Sequence, residues 1–257
     1  MGLLLKSSKP MYIAAVSDIH GHKYFTLYVK ALNKISSLRD DIMLFIFAGD
    51  IVFRGNVDSA LDIIKVTREF VRDRTIVACI GNEEYDSILN ALFKRYSDII
   101  WLNDSYHIVD VNSIKIAIVG SRGVLDRPTL WQSRNIPGIE KVYMERVVKL
   151  RRLLEEVKRI SDIAILVTHY TPTFRTLIGE PKSIWPEMGS TRLEKVIIET
   201  RPHIVVHGHA HNSKVPHIEV NGVRIYNVAL PATKRITLIN INTVIEKRGS
   251  LLNYLRR

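Results

Sequence analysis

The sequence predicts an α/β fold, and three observations predict it. Short apolar runs alternate with amphipathic stretches through the N-terminal part of the chain. A long helical pattern in the middle gives way to an all-strand C-terminal section. Five of the apolar runs lead into Asp, His or Asn. Tyr12–Val16 precedes Asp18 and His20, Ile42–Phe47 precedes Gly49-Asp50, and Thr75–Ile80 precedes Gly81-Asn82. Ile163–Val167 precedes His169, and Ile204–Val206 precedes His207-Gly208-His209-Ala210-His211. Buried strands that end in such residues assemble a site outside the carboxyl edge of an α/β sheet.

Each element has its own justification. The run Tyr12–Val16 is followed by an amphipathic stretch over Tyr24–Leu38. The run Ile42–Phe47 is followed by a helical pattern over Asp58–Arg72, with Asp58 as N-cap and Leu61, Ile64 and Phe70 near one face. Thr75–Ile80 is followed by Asp86–Tyr96. These read as βα units of a sheet with helices on its faces. Tyr106–Val111, Asn112-Ser113 and Ile114–Val119 read as a hairpin. Lys141–Ile160 is a long helix with Val142, Val147, Leu150, Leu153, Leu154 and Val157 as its core positions and a basic outer face. After His211 come Ser213–Glu219, an Asn221-Gly222 turn, Val223–Val228 and Lys234–Ile241, all read as strand. No linker, repeat or low-complexity segment interrupts 1–257, so a single domain is expected.

Composition narrows the function classes. Hydrophobic content of 46% and charged content of 25% are ordinary for a globular protein. No apolar run approaches the ~20 residues needed to span a bilayer. The Met1–Lys6 start is too short for a signal peptide, and Ser7 lies one place beyond the position a Gly2 myristoylation signal needs. A cytoplasmic location without membrane attachment is expected. Cys79, the only cysteine, lies inside an apolar run and reads as a buried hydrophobe. A net charge of +11 leaves nucleic acid open as a partner, although the positives cluster only at Lys149–Arg152, Lys234-Arg235 and Arg256-Arg257.

The strand-end residues form a metal-ligand set. Strand alternation would put Asp18 and His20 on one side, and His209 and His211 likewise on the last strand of the sheet. Gly49 and Gly81 let the backbone turn sharply before Asp50 and Asn82. Carboxylate, imidazole and a neutral amide suit Mn, Fe, Zn, Co or Ni over Ca or Mg. Asp18-x-His20, Gly49-Asp50, Gly81-Asn82, His169 and Gly208-His209-x-His211, in this order, resemble the five motifs of calcineurin-like metallophosphoesterases over roughly residues 11–228. The resemblance implies a four-layer αββα sandwich of two mixed β-sheets flanked by helices. It implies two divalent ions, manganese first among the candidates. Asp18, His20 and His211 would hold one, Asn82, His169 and His209 the other, and Asp50 would bridge them. The implied chemistry is hydrolysis at phosphorus by a hydroxide that the ion pair makes from water, on a phosphomonoester or small phosphodiester.

The pattern departs from the family at the leaving-group acid. Many members carry Gly-Asn-His where this chain has Gly81-Asn82-Glu83-Glu84. The Asp that orients that His in family protein phosphatases is Phe53 here, within Gly49-Asp50-Ile51-Val52-Phe53-Arg54-Gly55. Glu83 and His22 are the replacement donors to consider, Glu84 matches an acidic position that accepts hydrogen bonds, and Arg54 matches a phosphate-gripping arginine. His207 is expected to pack beside the site. His107, His203 and His217 have no ligand-like context. Two irregular stretches, Ser121–Ile139 and Tyr170–Ser190, should overhang the cluster. Arg122, Arg127, Trp131, Arg134, Phe174, Arg175, Lys182 and Trp185 give them the aromatic and basic composition of a nucleotide or single-strand groove, but the first reading of Trp131 and Trp185 is that they anchor the loops to the body. Beside a small-phosphoester hydrolase stand a metal-dependent nuclease, favoured by charge, and a non-catalytic scaffold, opposed by the complete ligand set.

Overall fold

The computed structural model describes residues 9–244. The Met1–Lys6 start with Ser7 and the Arg256-Arg257 pair lie outside the described residues. β1 (Tyr12–Val16) is buried from Ile13 onward. α1 (Phe25–Lys34) turns Tyr28, Ala31 and Leu32 inward and stops before Leu38, because Ser36–Asp41 winds as a 3-10 turn. β2 (Ile42–Ala48) and α2 (Leu61–Val71) follow. Asp58 is not the N-cap of α2. Asn56 accepts the Asp58 backbone N–H and caps a 3-10 turn at Val57–Ala60, while the Asp58 carboxylate pairs with Arg95. β3 (Thr75–Cys79) and α3 (Leu89–Arg95) complete the third unit. β4 (Ile100–Leu102) is too short to show a period and was not expected. β5 (Ser105–Val111) and β6 (Ile114–Ser121) form the expected hairpin, with Asn112 and Ser113 both at left-handed φ, 49° and 66°. Those signs are what a type I′ turn demands.

The stretch 121–139 is not all irregular. It contains α4 (Leu130–Asn135), begun by a capping box in which Thr129 and Gln132 exchange hydrogen bonds. α5 (Ile139–Ile160) buries Ile139, Tyr143, Leu150, Leu154 and Val157, and leaves Val142, an expected core position, 37% exposed. β7 (Ile163–Thr168) is buried throughout. α6 (Thr191–Thr200), absent from the sequence reading, is capped by Ser190, whose hydroxyl accepts the Leu193 N–H. β8 (Ile204–His207), β9 (His217–Val220) and β10 (Val223–Asn227) come next, the last two joined at Asn221 and Gly222. α7 (Leu230–Thr233) interrupts the expected run of strand before β11 (Thr237–Asn240).

Two mixed sheets result. The first runs β11-β1-β2-β3-β4 and the second β5-β6-β7-β8-β10-β9. β11 does not extend the second sheet. It returns to pair antiparallel with β1 of the first. Alternation assigns side chains to layers within the buried strands. Ala14 and Val16 of β1 face α1, α2 and α3, while Ile13 and Ala15 face the other sheet and meet Ile116, Ile165 and Val206 across the interface. The opposite face of the second sheet packs on α5 and α6 through Leu166, Leu150, Leu154, Leu193 and Ile197. The order of layers is helix, sheet, sheet, helix, as the family resemblance implied. Cys79 is buried between the sheets. No helix among the described residues is long and apolar enough to cross a membrane.

The two long connections are tied to each other. Asp126 and Arg127 donate backbone N–H groups to the Gly189 and Pro186 carbonyls. The Asp126 carboxylate accepts from the Ser190 hydroxyl (2.7 Å), from the Thr191 N–H (2.8 Å) and hydroxyl (2.6 Å), and from Arg192 (3.2 Å). Burial works to raise the Asp126 pKa, but the Thr191, Ser190 and Arg192 donors outweigh it and hold it below the ordinary carboxylate value. A depressed folded pKa stabilises fully above the unfolded value of about 3.9 and is lost as pH falls through the folded one. Asp126→Ala should therefore destabilise by roughly 1–3 kcal/mol in urea unfolding at neutral pH. The gap between variant and wild type should shrink when the same unfolding is run below about pH 3.

Candidate metal centre

The carboxyl ends of five strands supply the site. Asp18 and His20 follow β1, Asp50 follows β2 and Asn82 follows β3, all in the first sheet. His169 follows β7, and His209 and His211 follow β8, in the second. Strand alternation is not what aligns the paired ligands. Asp18, His20, Asp50 and His209 lie beyond their strands at left-handed φ of 59°, 51°, 53° and 70°. Nor is β8 the last strand, since β10 and β9 lie outside it. Non-glycine residues held in this region cost on the order of 1–3 kcal/mol each, and such strain concentrates at functional sites.

Two groups of donors converge on either side of Asp50. In the first, ligand atoms of Asp18, His20 and His211 lie within 4.8 Å of one another. His211 Nε2 is 2.8 Å from Asp18 Oδ1. His20 Nε2 is buried without any hydrogen-bond partner, and faces Asp18 Oδ1 at 3.8 Å and Asp50 Oδ2 at 3.9 Å. In the second group, Asp18, Asp50 and His169 satisfy the same limit. His169 Nδ1 lies 3.0 Å from the Ala48 carbonyl, an acceptor, so the neutral ring carries its proton there. Its Nε2 lone pair then points at Asn82 Oδ1 (3.0 Å) and Asp50 Oδ2 (3.3 Å). Among the described residues, His209 joins neither close group. Its ring stands edge-on to His169 and Tyr170, each at 5.0 Å.

An orphaned buried nitrogen and a convergence of lone pairs on two buried carboxylates fit divalent cations. The proton affinities say the same. Burial disfavours charge on His169, yet Asp50 and Asp18 override it and push its pKa up to about 9. A proton there answers the negative field that a metal would otherwise neutralise. Burial, reinforced by His169, pushes His209 down to about 3. Burial works to raise Asp18, but His211, His169 and Ser17 bring it far below the usual range.

The two motif glycines act differently. Gly49 turns the chain at φ 82°, as expected. Gly81 has no positive φ, and its value is close approach. A Cβ there would sit 2.6 Å from the Asp50 nitrogen and closer still to its Oδ1. Glu84 holds these segments together. Its buried carboxylate accepts N–H bonds from Asp50 (2.8 Å), Ile51 (2.8 Å), Val52 (3.0 Å) and Gly81 (2.6 Å). Burial and Asp50 push Glu84 up to about 7 against those donors. Four N–H groups directed at two oxygens match the ionised form, which has no proton of its own to place. Arg122 clamps the same loop, donating to the Gly81 and Glu84 carbonyls and to Asp86.

An open cleft of about 390 Å³ leads to the cluster. Phe53, Arg54 and Glu83 line it, and the Arg54 guanidinium lies over the Phe53 ring, 5.2 Å from its centroid. The Glu83 carboxylate accepts the Arg54 N–H, and its own N–H donates to Asp50 Oδ1 at 2.8 Å. Glu83 also forms a close ligand group with His20 and Asp50. His22 is exposed, its ring turned edge-on to Phe53 at 4.9 Å, and it is not among the cleft-lining residues. His207 is buried between Thr176 and the Gly208 carbonyl. Only the second long connection reaches the cleft, through Glu180 and Met188. Of the basic side chains in these connections, Arg122, Arg127 and Arg175 pair with Asp86, Glu187 and Glu194. The sequence reading missed Lys23, Glu180, Met188 and Asn212 as lining residues. Lys23 and Asn212 follow motif residues closely enough to have been suspected. Glu180 gives no local signal, because its carboxylate reaches Asn212 across the chain.

Comparisons with known proteins bear on the family and the fold. The profile of the calcineurin-like phosphoesterase family matches residues 11–213. A search of curated protein sequences finds no relative. Among solved structures, phosphopantetheinyl hydrolase from Mycobacterium tuberculosis superposes with a TM-score of 0.63 at 15% identity, covering 89% of this chain and 96% of that one. GAP50, the anchor in the inner membrane complex of Plasmodium, gives 0.57 at 14% identity over 86% of this chain and 72% of that one. A 5'-nucleotidase precursor from Thermus thermophilus gives 0.52 at 11% identity over 96% of this chain and 59% of that one.

Replacing Glu84 by Gln would set an amide NH₂ against backbone donors. Glu84→Gln should lower stability by roughly 1–3 kcal/mol in urea unfolding. It should also weaken Mn²⁺ binding in calorimetric titration, because Asp50 and Gly81 lose a common anchor.

Proposed function

The chain belongs to the calcineurin-like phosphoesterase family, and from that premise we propose that it hydrolyses a small phosphomonoester or phosphodiester with two divalent ions. The observation that carries the proposal is the convergence of two donor groups on Asp50. Asp18, His20 and His211 would hold one ion, Asn82 and His169 the other with His209 turning in to complete its set, and Asp50 both. Bound there, the ions would supply Lewis acidity toward phosphoryl oxygens and make water acidic enough to ionise near neutral pH. Manganese fits this donor set, as do Fe, Zn, Co and Ni. The proposal takes the chain as one domain acting in the cytoplasm.

The protein's own groups have separate tasks. Asn82 contributes an uncharged oxygen, so the pocket keeps the positive excess that attracts phosphate. Arg54 presents to phosphate oxygens a guanidinium that has no carboxylate partner among the described residues, and it can grip them with two parallel N–H bonds. Lys23 adds a second cation at the cleft wall. Glu83 lines the cleft, which supports it over His22, whose ring is engaged with Phe53, as the group that would protonate a leaving oxygen. Positioned proton donation contributes roughly 10²–10⁴-fold, most for poor leaving groups.

A nuclease reading is less well supported, since most arginines of the two long connections are engaged with carboxylates of the protein. A non-catalytic scaffold would have no use for a buried pocket of converging ligands.

Three outcomes test the proposal. With Mn²⁺, the protein should cleave aryl phosphomonoesters or bis-aryl diesters in a panel that also contains single-stranded DNA, and a chelator should abolish turnover. Asp50→Asn should lose Mn²⁺ binding in calorimetry and reduce turnover to background. Glu83→Gln should slow an alkyl phosphate by about 10²-fold or more while an aryl phosphate is nearly unaffected. Equal rates for wild type and Glu83→Gln on the alkyl ester would remove Glu83 as the proton donor.

A further inference from the structure

A second concavity, of about 510 Å³, lies where the end of α1, the start of β11 and the β9–β10 hairpin meet. It shares no lining residue with the metal cleft. Its floor is apolar, with Ala31 and Ile236 almost fully buried. Over that floor stand four hydrogen-bond donors, Lys34, Arg235, His217 and Tyr226. His217 and Tyr226 are cross-strand partners, and their rings lie 6.0 Å apart and within 23° of parallel.

The two cations contrast with the arginines that the fold uses internally. Arg68, Arg122, Arg146, Arg175 and Arg192 each meet a carboxylate. Among the described residues, the Lys34 ammonium, the Arg235 guanidinium, the His217 ring nitrogens and the Tyr226 hydroxyl have no hydrogen-bond or ion-pair partner. The lining contains no acidic residue at all. Unmatched donors around an apolar floor, with a flat aromatic wall, are complementary to one kind of molecule. It would carry an anionic group of phosphate type and a planar ring.

We propose that this concavity is a second ligand site, distinct from the metal cleft, that binds a nucleotide-like organic phosphate. The planar ring lies on the apolar floor against the His217–Tyr226 pair. The phosphate sits between Lys34 and Arg235, where a guanidinium can donate two parallel bonds. The site does not depend on the phosphoesterase reaction, because none of its residues touches the metal cluster.

The test is calorimetric titration of the full metal-loaded protein with a nucleoside phosphonate, whose carbon–phosphorus bond resists hydrolysis. The wild type should show two classes of site. Lys34→Glu and Arg235→Glu, both at exposed positions, should each weaken one class at least tenfold. They should leave the other class, the melting temperature and aryl-phosphate turnover unchanged. Asp50→Asn should remove the complementary class. Inorganic phosphate and the free nucleoside, titrated separately, should each bind the second site more weakly than the phosphonate. A single class in the wild type, or two classes that survive both charge reversals, overturns the proposal. Inorganic phosphate binding there as tightly as the phosphonate overturns the part assigned to the ring.

Discussion

Three carboxylates, Asp18, Asp50 and Glu84, are buried at one end of this protein, and among the described residues no lysine or arginine side chain hydrogen-bonds or ion-pairs with them. Removing an ion from water costs several kcal/mol even after relaxation. The local structure is organised around offsetting that cost with backbone N–H groups and imidazoles. Glu84 takes four N–H bonds, Asp18 takes the His209 N–H, and Asp50 takes the Glu83 N–H. Aiming peptide groups this way requires the chain to bend sharply at each strand end. The left-handed backbone of Asp18, Asp50 and His209 follows from that requirement. What the histidines and peptides leave uncompensated is the negative field that a pair of divalent ions would meet.

The layers make such an arrangement affordable. Fully apolar strands exclude water on both faces, and each buried aliphatic side chain contributes roughly 1.5–3 kcal/mol. That surplus lets the strand ends tolerate strained backbone and buried charge. Burial disfavours charge on both His169 and His209, but the buried carboxylates outweigh it only at His169, so neighbouring imidazoles differ widely in their affinity for protons. Chemistry and stability thus draw on one property, the dryness of the interface between sheets and helices.

The sequence shows the strands and the ligand-type residues well, because a run such as Ile42–Phe47 has no other stable environment than a buried strand. Gly81-Asn82 and Gly208-His209-x-His211 are equally plain as motifs. What escapes a linear reading depends on partners far along the chain. α6 is held by Ser190 and by Asp126, 65 residues from Thr191. β4 has too few residues for periodicity, and β11 chooses β1 across the whole chain. Asp58 illustrates the limit of capping rules, since Asn56 two residues earlier takes the role. Arg122 illustrates another, because charge in a long connection says nothing of whether a substrate or the protein's own carbonyls will use it.

One feature of the topology reaches beyond chemistry. The two sheets meet through interdigitated aliphatic side chains, which attract without direction and resist sliding only by shape. At the carboxyl edge that changes. His169 donates to Ala48, His209 to Asp18 and Ser17 to Val228, each bond crossing from the chain of one sheet to that of the other. The site is therefore a place where directed hydrogen bonds hold one sheet against the other. Bonds of fixed length and direction there keep the ligand spacing from following any slip of one sheet over the other.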